Sequence, residues 1–267
     1  MDLGLAGKTA LVTGSNRGTG AAIARTLATE GATVLVHRLQ CDAPDPTTDA
    51  IKADGGTAMS VCGDITTESG ADALAHSLAE RTDSIDILVN NYGTAEAGQW
   101  IDLTAQEWTD MYEKNVLSAT RCIERFLPSM RDKGWGRIIQ IGTIGSFRPN
   151  ARMPHYYAAK SALAAATVSL SKELAGSGIT VNTVSPGLIK TPEVESHFRS
   201  MAERKGWGDD WSTIEKQAIE RMGGNPSGRI ARPEEIGDLV AFVASTRADY
   251  INGENIRIDG GSIDAPY

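Results

Sequence analysis

Short apolar runs recur along the chain, each ending in glycine or small polar residues, and most are followed by a segment whose apolar positions repeat at helical spacing. The first, Lys-Thr-Ala-Leu-Val-Thr at residues 8–13, runs into a glycine-rich turn and then into helical residues 21–28. Residues 33–37, 58–62 and 85–89 repeat the strand signal, with a helix predicted at 71–81. Residues 105–130 read as one long helix and 136–141 as a fifth strand, and another helix runs from residue 156 to 175. Strands at 180–184 and 255–258 complete the pattern, separated by a helix at 233–245 that has Pro233 at its start. Such alternation predicts parallel pairing, because each crossover returns the chain to the same end of the sheet. The expected fold is α/β: a single-domain Rossmann-like doubly wound parallel sheet over residues 1–267, with about seven strands and helices on both faces. Residues 191–228 carry no strand signal; they are charged and helix-like, and their place beside the expected ligand rim predicts a substrate lid.

In such a sheet, ligands bind beyond the carboxyl ends of the strands, so chemistry is expected in the residues that follow each apolar run. Gly14-Ser15-Asn16-Arg17-Gly18-Thr19-Gly20 lies between a strand and a helix. A turn of this kind aims free backbone N–H groups and the positive end of a helix dipole at one point, and its glycines let a pyrophosphate come close. Arg38 ends the second strand, where an NAD-binding fold would carry an acid for the ribose hydroxyls. Arg17, inside the turn, offers a second guanidinium, and the pair favours NADP, with its 2′-phosphate, over NAD. Asp42 is the rival acid, but it lies in a Pro-rich loop as a solvated turn residue. Asp64, after the third strand, suits either an adenine amino group or a turn and helix cap. Asn90-Asn91-Tyr92-Gly93 ends the fourth strand on the same rim.

Tyr156 and Lys160, in Tyr-Tyr-Ala-Ala-Lys, are spaced so that a phenol and an ammonium share one helix face. A neighbouring cation favours the phenolate, so the phenol pKa is expected to fall toward the operating pH. An ordinary helix surface has the same spacing, so the assignment needs support from other elements. Thr143, after the fifth strand, is separated from Tyr156 by thirteen residues. A strand end meeting a helix start would unite hydroxyl, phenol and ammonium, and the four-residue interval to Lys160 selects Tyr156 over Tyr157. Asn115 lies inside the predicted long helix, a poor position for Asn unless its amide faces solvent or has a task. His155 points about 100° away from Tyr156 around the helix and is read as structural.

Composition narrows the partners. The 267 residues are 41% hydrophobic, enough for a well-buried core, and carry a net charge of −8 with a pI near 5.1. That balance argues against nucleic acid. The amino end has neither a basic n-region nor an apolar h-region, and no apolar run approaches the ~18 residues of a membrane span, so a cytoplasmic protein with no membrane partner is expected. Cys41, Cys62 and Cys122 are odd in number and widely spaced, which predicts buried thiols rather than a disulfide framework or a metal site. Arg148, Arg152 and Lys190 are either an attraction for an anionic substrate or solvated surface charges. Trp207 and Trp211, at helical spacing, suggest an apolar under-face to the lid.

The ordered set Thr13-Gly14-xxx-Gly18-x-Gly20, Asp64, Asn90-Asn91-x-Gly93, Asn115, Tyr156-xxx-Lys160, Pro186-Gly187 and Asp259-Gly260-Gly261 resembles the classical short-chain dehydrogenases/reductases, including the 3-oxoacyl-acyl-carrier-protein reductases, from Lys8 to Gly261. The resemblance implies Tyr156 as the acid that protonates a carbonyl oxygen as hydride arrives from NADPH. Lys160 would hold the nicotinamide ribose and keep the phenol acidic, Asn115 would anchor a water relay, and Thr143 would bond the substrate oxygen. It places Gly14, Asn16, Arg17, Gly18, Thr19 and Gly20 around the cofactor phosphates, with Arg38, Asp64 and Ile65 at the adenosine end. Asn90, Tyr92, Gly93, Tyr156 and Lys160, with Pro186, Gly187, Ile189 and Thr191, would border the nicotinamide half. The family usually has Ser at Thr143, whose extra methyl tightens the pocket, and Ala at Tyr92, whose ring narrows it. The expected activity is NADPH-dependent reduction of a ketone or aldehyde by a homodimer or homotetramer, with the helices at 105–130 and 156–175 as interface candidates. The alternatives are an NADP-dependent alcohol dehydrogenase running oxidatively and a non-catalytic NADP-binding regulator.

Overall fold

A computed structural model describes residues 1–264, so the last three positions of the expected 1–267 domain lie outside the described residues. Seven parallel strands form one sheet in the order β3-β2-β1-β4-β5-β6-β7. They are β1 (Thr9–Val12), β2 (Thr33–Arg38), β3 (Thr57–Cys62), β4 (Ile87–Asn90), β5 (Gly136–Ile141), β6 (Ile179–Pro186) and β7 (Asn255–Ile258). The strand order reverses direction between β1 and β4, which opens a crevice at their carboxyl ends.

Alternation along the strands divides the core in two. Ala10 and Val12 of β1, Val34 and Val36 of β2, and Ile87 and Val89 of β4 pack on one face, while Leu11, Leu35 and Leu88 pack on the other. The first face is covered by α1 (Gly18–Thr29), through Ile23 and Leu27, and by α9 (Pro233–Ala244), through Ile236 and Val240. Over the second lie α3 (Glu68–Ala79), with Leu74 and Leu78, and α5 (Ser118–Lys133), with Cys122, Phe126 and Met130. Burial on both faces explains why these strands read as unbroken apolar runs in sequence.

Three elements differ from the pattern reading. The Pro-rich stretch after β2 contains a helix, α2 (Pro46–Ala53), started by Pro46 at its first turn and by Asp45, whose carboxylate accepts from Thr48 N–H at 3.1 Å. The expected helix at 105–130 is two helices, α4 (Ala105–Tyr112) and α5, joined by a π-helical turn at Glu113–Leu117 that contains Asn115. The 191–228 excursion forms α7 (Pro192–Lys205) and α8 (Trp211–Arg221) around their own cluster of Phe198, Ala202, Ile214 and Ala218. Trp207 follows the end of α7 and Trp211 opens α8, so the two do not form a stripe on one helix, although both pack against that cluster.

The cysteine expectation is overturned at two positions. Cys41 and Cys62 form a disulfide, because the exposed loop after β2 folds back beside the last residue of β3. Sequence separation concealed a proximity that the β2–β3 pairing creates. Cys122 alone is a buried thiol, and burial pushes it up to about 12. Among the described residues, no helix is long and apolar enough to cross a membrane, and no cluster of His, Cys, Asp and Glu could hold a metal ion.

Candidate active site

The crevice at the strand reversal encloses about 540 Å³, within the range of small-molecule sites. One wall is the glycine turn between β1 and α1, where Gly14, Asn16, Arg17, Gly18, Thr19 and Gly20 line the opening. Gly14 has a φ of 61°, and a Cβ added there would sit 3.2 Å from the Tyr92 backbone, so the residue meets both a conformational and a steric demand. Asn91 ties this turn to β4: its side-chain amide donates to the carbonyls of Thr13 and Gly14 at 2.9 and 3.0 Å.

His37, one residue before Arg38 on β2, braces the turn from beneath. Its Nδ1 accepts from Gly14 N–H at 3.1 Å and its Nε2 donates to Gly63 O at 2.9 Å, a pairing that requires the neutral ring protonated at Nε2. Burial holds the imidazole down at about 4, from an ordinary 6.5. Because the folded value is the lower one, His37 contributes stability that is complete above pH 6.5 and is lost as the pH falls toward 4. Thermal midpoints should fall across that window, and a His37→Gln variant should show a flatter decline there. An equal slope in both proteins would remove His37 as the cause.

Arg38 and Arg17 both line the crevice, but both meet carboxylates that sequence reasoning missed. Arg17 pairs with Glu193 on the first turn of α7 at 2.7 Å, across the crevice. Arg38 lies 3.5 Å from Asp45, the cap of α2. Neither pairing has a local sequence signal, since one joins positions 176 apart and the other depends on a loop folding back. Asp42, the rival acid, is exposed in that loop. Asp64 adopts the turn alternative: its Oδ1 accepts from Thr66 N–H and Oγ1 at 3.0 and 2.6 Å. Ile65 is buried in the core beneath the sheet, so its side chain is not part of the crevice.

At the other end, Thr143, Tyr156 and Lys160 meet as the spacing predicts, all lining the crevice. Thr143 caps the short 3-10 turn Ile144–Ser146, and Tyr156 and Lys160 project from α6 (Pro154–Glu173). Lys160 is buried and donates from Nζ to Ile141 O at 2.8 Å; loss of water brings its ammonium down to about 8. The expected fall in the phenol pKa is reversed in this structure. Burial raises Tyr156 to about 12, a hydrogen bond with Thr143 pulls it back in part, and Tyr157 pushes it further up. Tyr157 is a different kind of residue: its ring packs where a Cβ on Gly145 would be, and its hydroxyl accepts from Asn150 at 2.8 Å. His155 is buried, with its ring edge-on to Trp108 at 6.0 Å.

Asn115 is held by the π-turn so that its Nδ2 donates to the carbonyls of Thr94 and Met111 at 3.0 and 3.1 Å. Its Oδ1 has no protein partner, and a Cβ on Gly93 would lie 2.4 Å from that oxygen and 3.2 Å from Lys160 Nζ. Glycine at 93 therefore keeps space open between an acceptor and an ammonium. Asn90, 3% exposed, has both side-chain amide atoms unpaired, and an amide so buried calls for a ligand or water. Tyr92 lines the crevice beside Gly14. Pro186, Gly187 and Ile189 border its far side, fixed by Lys190 N–H to Ala231 O at 2.8 Å, and Thr191 caps α7 by accepting from Val194 N–H at 3.4 Å. Lys190 is engaged by Glu195 at 3.5 Å and lies over the Trp211 ring, and Arg148 donates to Ser262 O at 3.4 Å.

These features fit a dinucleotide carrying a 2′-phosphate: a helix N-terminus behind a glycine turn and two guanidiniums at the crevice. Comparison with known proteins agrees. The profile of the family described as Enoyl-(Acyl carrier protein) reductase matches residues 14–262. The 3-oxoacyl-[acyl-carrier-protein] reductase FabG of Escherichia coli is 34% identical over 255 residues, covering 96% of this chain and 97% of that protein. The L-sorbose reductase of Gluconobacter frateurii, solved with NADPH and L-sorbose, superimposes with a TM-score of 0.92 at 32% identity over 99% of this chain and 100% of that one. A 3-oxoacyl (acyl-carrier-protein) reductase of Agrobacterium tumefaciens C58 with NADP bound gives 0.86 at 33% identity, covering 97% and 96%.

Proposed function

Because this chain belongs to the short-chain dehydrogenase/reductase family and is an NADP(H)-dependent oxidoreductase of it, we propose that it reduces a ketone or aldehyde to the alcohol with Tyr156 as the proton donor. The observation that carries this reading is the half-buried Tyr156 phenol beside Thr143 in the crevice at the strand reversal. Bound NADPH supplies the hydride that reaches the carbonyl carbon. The chain's own residues handle the oxygen. A phenol raised to about 12 keeps its proton at neutral pH, which suits it to donate as negative charge develops on a carbonyl oxygen. Thr143 supplies a second hydroxyl to orient that oxygen, while the Lys160 ammonium lends positive charge to the water-poor pocket. Asn115 Oδ1 and the space over Gly93 provide a seat for a water that returns a proton to Tyr156.

The 191–228 helices act as the lid in this reading, and Glu193 joins lid to glycine turn. Lys190 is paired with Glu195, so of the cations the sequence offers at the mouth this one is not free to attract an anionic substrate. The likeness to an L-sorbose reductase supports a ketose-like substrate. The test is NADPH oxidation, with NADH in parallel, across ketoses, small ketones and 3-oxoacyl thioesters. Turnover with ketoses above the others is expected. Turnover confined to 3-oxoacyl thioesters would overturn the substrate class, and nucleotide binding without turnover on any carbonyl would overturn the enzymatic reading.

A further inference from the structure

The disulfide at the adenosine end of the crevice has no part in the hydride chemistry, yet it brackets the residue that faces the 2′-phosphate. Cys62 is the β-ladder partner of Arg38, and the carbonyl of Cys41 accepts from Arg38 Nη2 at 2.7 Å. Arg38 Nε donates to Gln40 O at 3.2 Å, and its Nη1 donates to Ser60 Oγ. Two of these acceptors therefore belong to the exposed loop after β2, which also accepts at Pro44 O from Asn16 of the glycine turn at 3.2 Å. Leu39, Gln40 and Ala43 of this loop line the crevice with Arg38.

We propose that the Cys41–Cys62 disulfide positions Arg38 for the cofactor 2′-phosphate, so that this cysteine pair sets the preference for NADP(H) and its reduction weakens NADP(H) selectively. The proposal rests on the cofactor assignment made above. An arginine held in place before its ligand arrives loses less side-chain freedom on binding. Gln40 and Cys41 hold the guanidinium through their carbonyls only while their backbone stays in place. Burial does little to keep it there, since Gln40, Cys41 and Asp42 are all exposed; a turn bond from Ala43 N–H to Gln40 O at 3.2 Å, the Asn16–Pro44 bond and the covalent tie to β3 do, and the covalent tie is the one that joins Cys41 itself to the sheet. An adenosine ribose with free hydroxyls makes no such demand on Arg38.

Exposure of Cys41 also makes the tie reversible. A dithiol attacks through its thiolate, the Cys41–Cys62 bond breaks through a mixed disulfide, and the reagent closes to its own disulfide. Two electrons and two protons end on the two cysteine sulfurs. Cys122, buried in the core, stays out of reach of the reagent.

The experiment uses the full chain in two forms, oxidised and reduced with dithiothreitol, their states verified by thiol titration and intact mass. Dissociation constants for NADPH and NADH are measured by fluorescence titration without substrate. Reduction should raise the NADPH constant about three- to tenfold, the scale of ordering one long side chain, and leave that for NADH within about twofold. Cys41→Ser should give the reduced value with or without dithiol. In Arg38→Ala, reduction should change neither constant. Melting temperatures of each form separate loss of the clamp from loss of the fold. An unchanged NADPH-to-NADH ratio, equal weakening of both, or failure of the two cysteines to pair under oxidising conditions would overturn the proposal. If the oxidised protein binds neither nucleotide, the cofactor assignment falls and the clamp falls with it.

Discussion

Tyr156→Phe is expected to lower kcat/KM for carbonyl reduction by about a thousandfold, within the range for loss of a positioned general acid, while NADPH binding stays close to that of the wild type. The substitution removes one oxygen from a half-buried ring that lines the crevice beside Tyr157, so packing changes little. The neighbouring phenol cannot take over. Tyr157 is turned to Asn150 and packs over Gly145, and its hydroxyl does not line the crevice. Tyr157→Phe should therefore keep most turnover. Single-turnover kinetics with NADPH would separate a lost chemical step from slow release. Full turnover in Tyr156→Phe, or a collapse in Tyr157→Phe alone, would reassign the acid.

Much of the candidate site was legible because several of the residues that line it follow a strand, and strands announce themselves through apolar runs. Alternation alone puts Gly14, Arg38, Asp64 and Asn90 at the carboxyl ends of their strands, and the parallel sheet brings those ends to one edge. Local spacing also chose Tyr156 over Tyr157. Features that depend on two distant segments meeting were hidden. The Cys41–Cys62 bond, the Arg17–Glu193 pair and the brace from His37 to Gly14 each join residues whose neighbourhood is decided by β pairing or by where α7 packs. The direction of the Tyr156 pKa shift failed for a related reason. Sequence shows that a lysine is four residues away but not how much water both groups lose, and burial is the largest cause at each of them. The π-turn at Glu113–Leu117 is a middle case: an Asn inside a helical pattern flagged a special position without revealing the extra backbone residue that turns its amide inward.

Lys160→Met should separate stability from activity in opposite directions. The ammonium is fully buried, and its fall from 10.5 to about 8 reflects water it has lost without a carboxylate to compensate. Below pH 8 the folded protein carries a charge that the unfolded chain holds more comfortably, so the lysine opposes folding throughout the physiological range. Methionine fills nearly the same volume without that charge. Its one structural loss is the donor to Ile141 O, which leaves a carbonyl unsatisfied and offsets part of the gain. The balance is an expected stabilisation of about 1–2 kcal/mol at pH 7, read as a higher denaturation midpoint in urea with an unchanged slope. Activity should fall by about a hundred- to a thousandfold, because the crevice that Tyr156 lines loses the fixed positive charge near Asn115. The stabilisation should shrink toward pH 10, where unfolded lysine also gives up its proton. A variant that is both inactive and less stable would mean that the ammonium is paid for by packing elsewhere, and a variant that is stable and active would remove Lys160 from the chemistry.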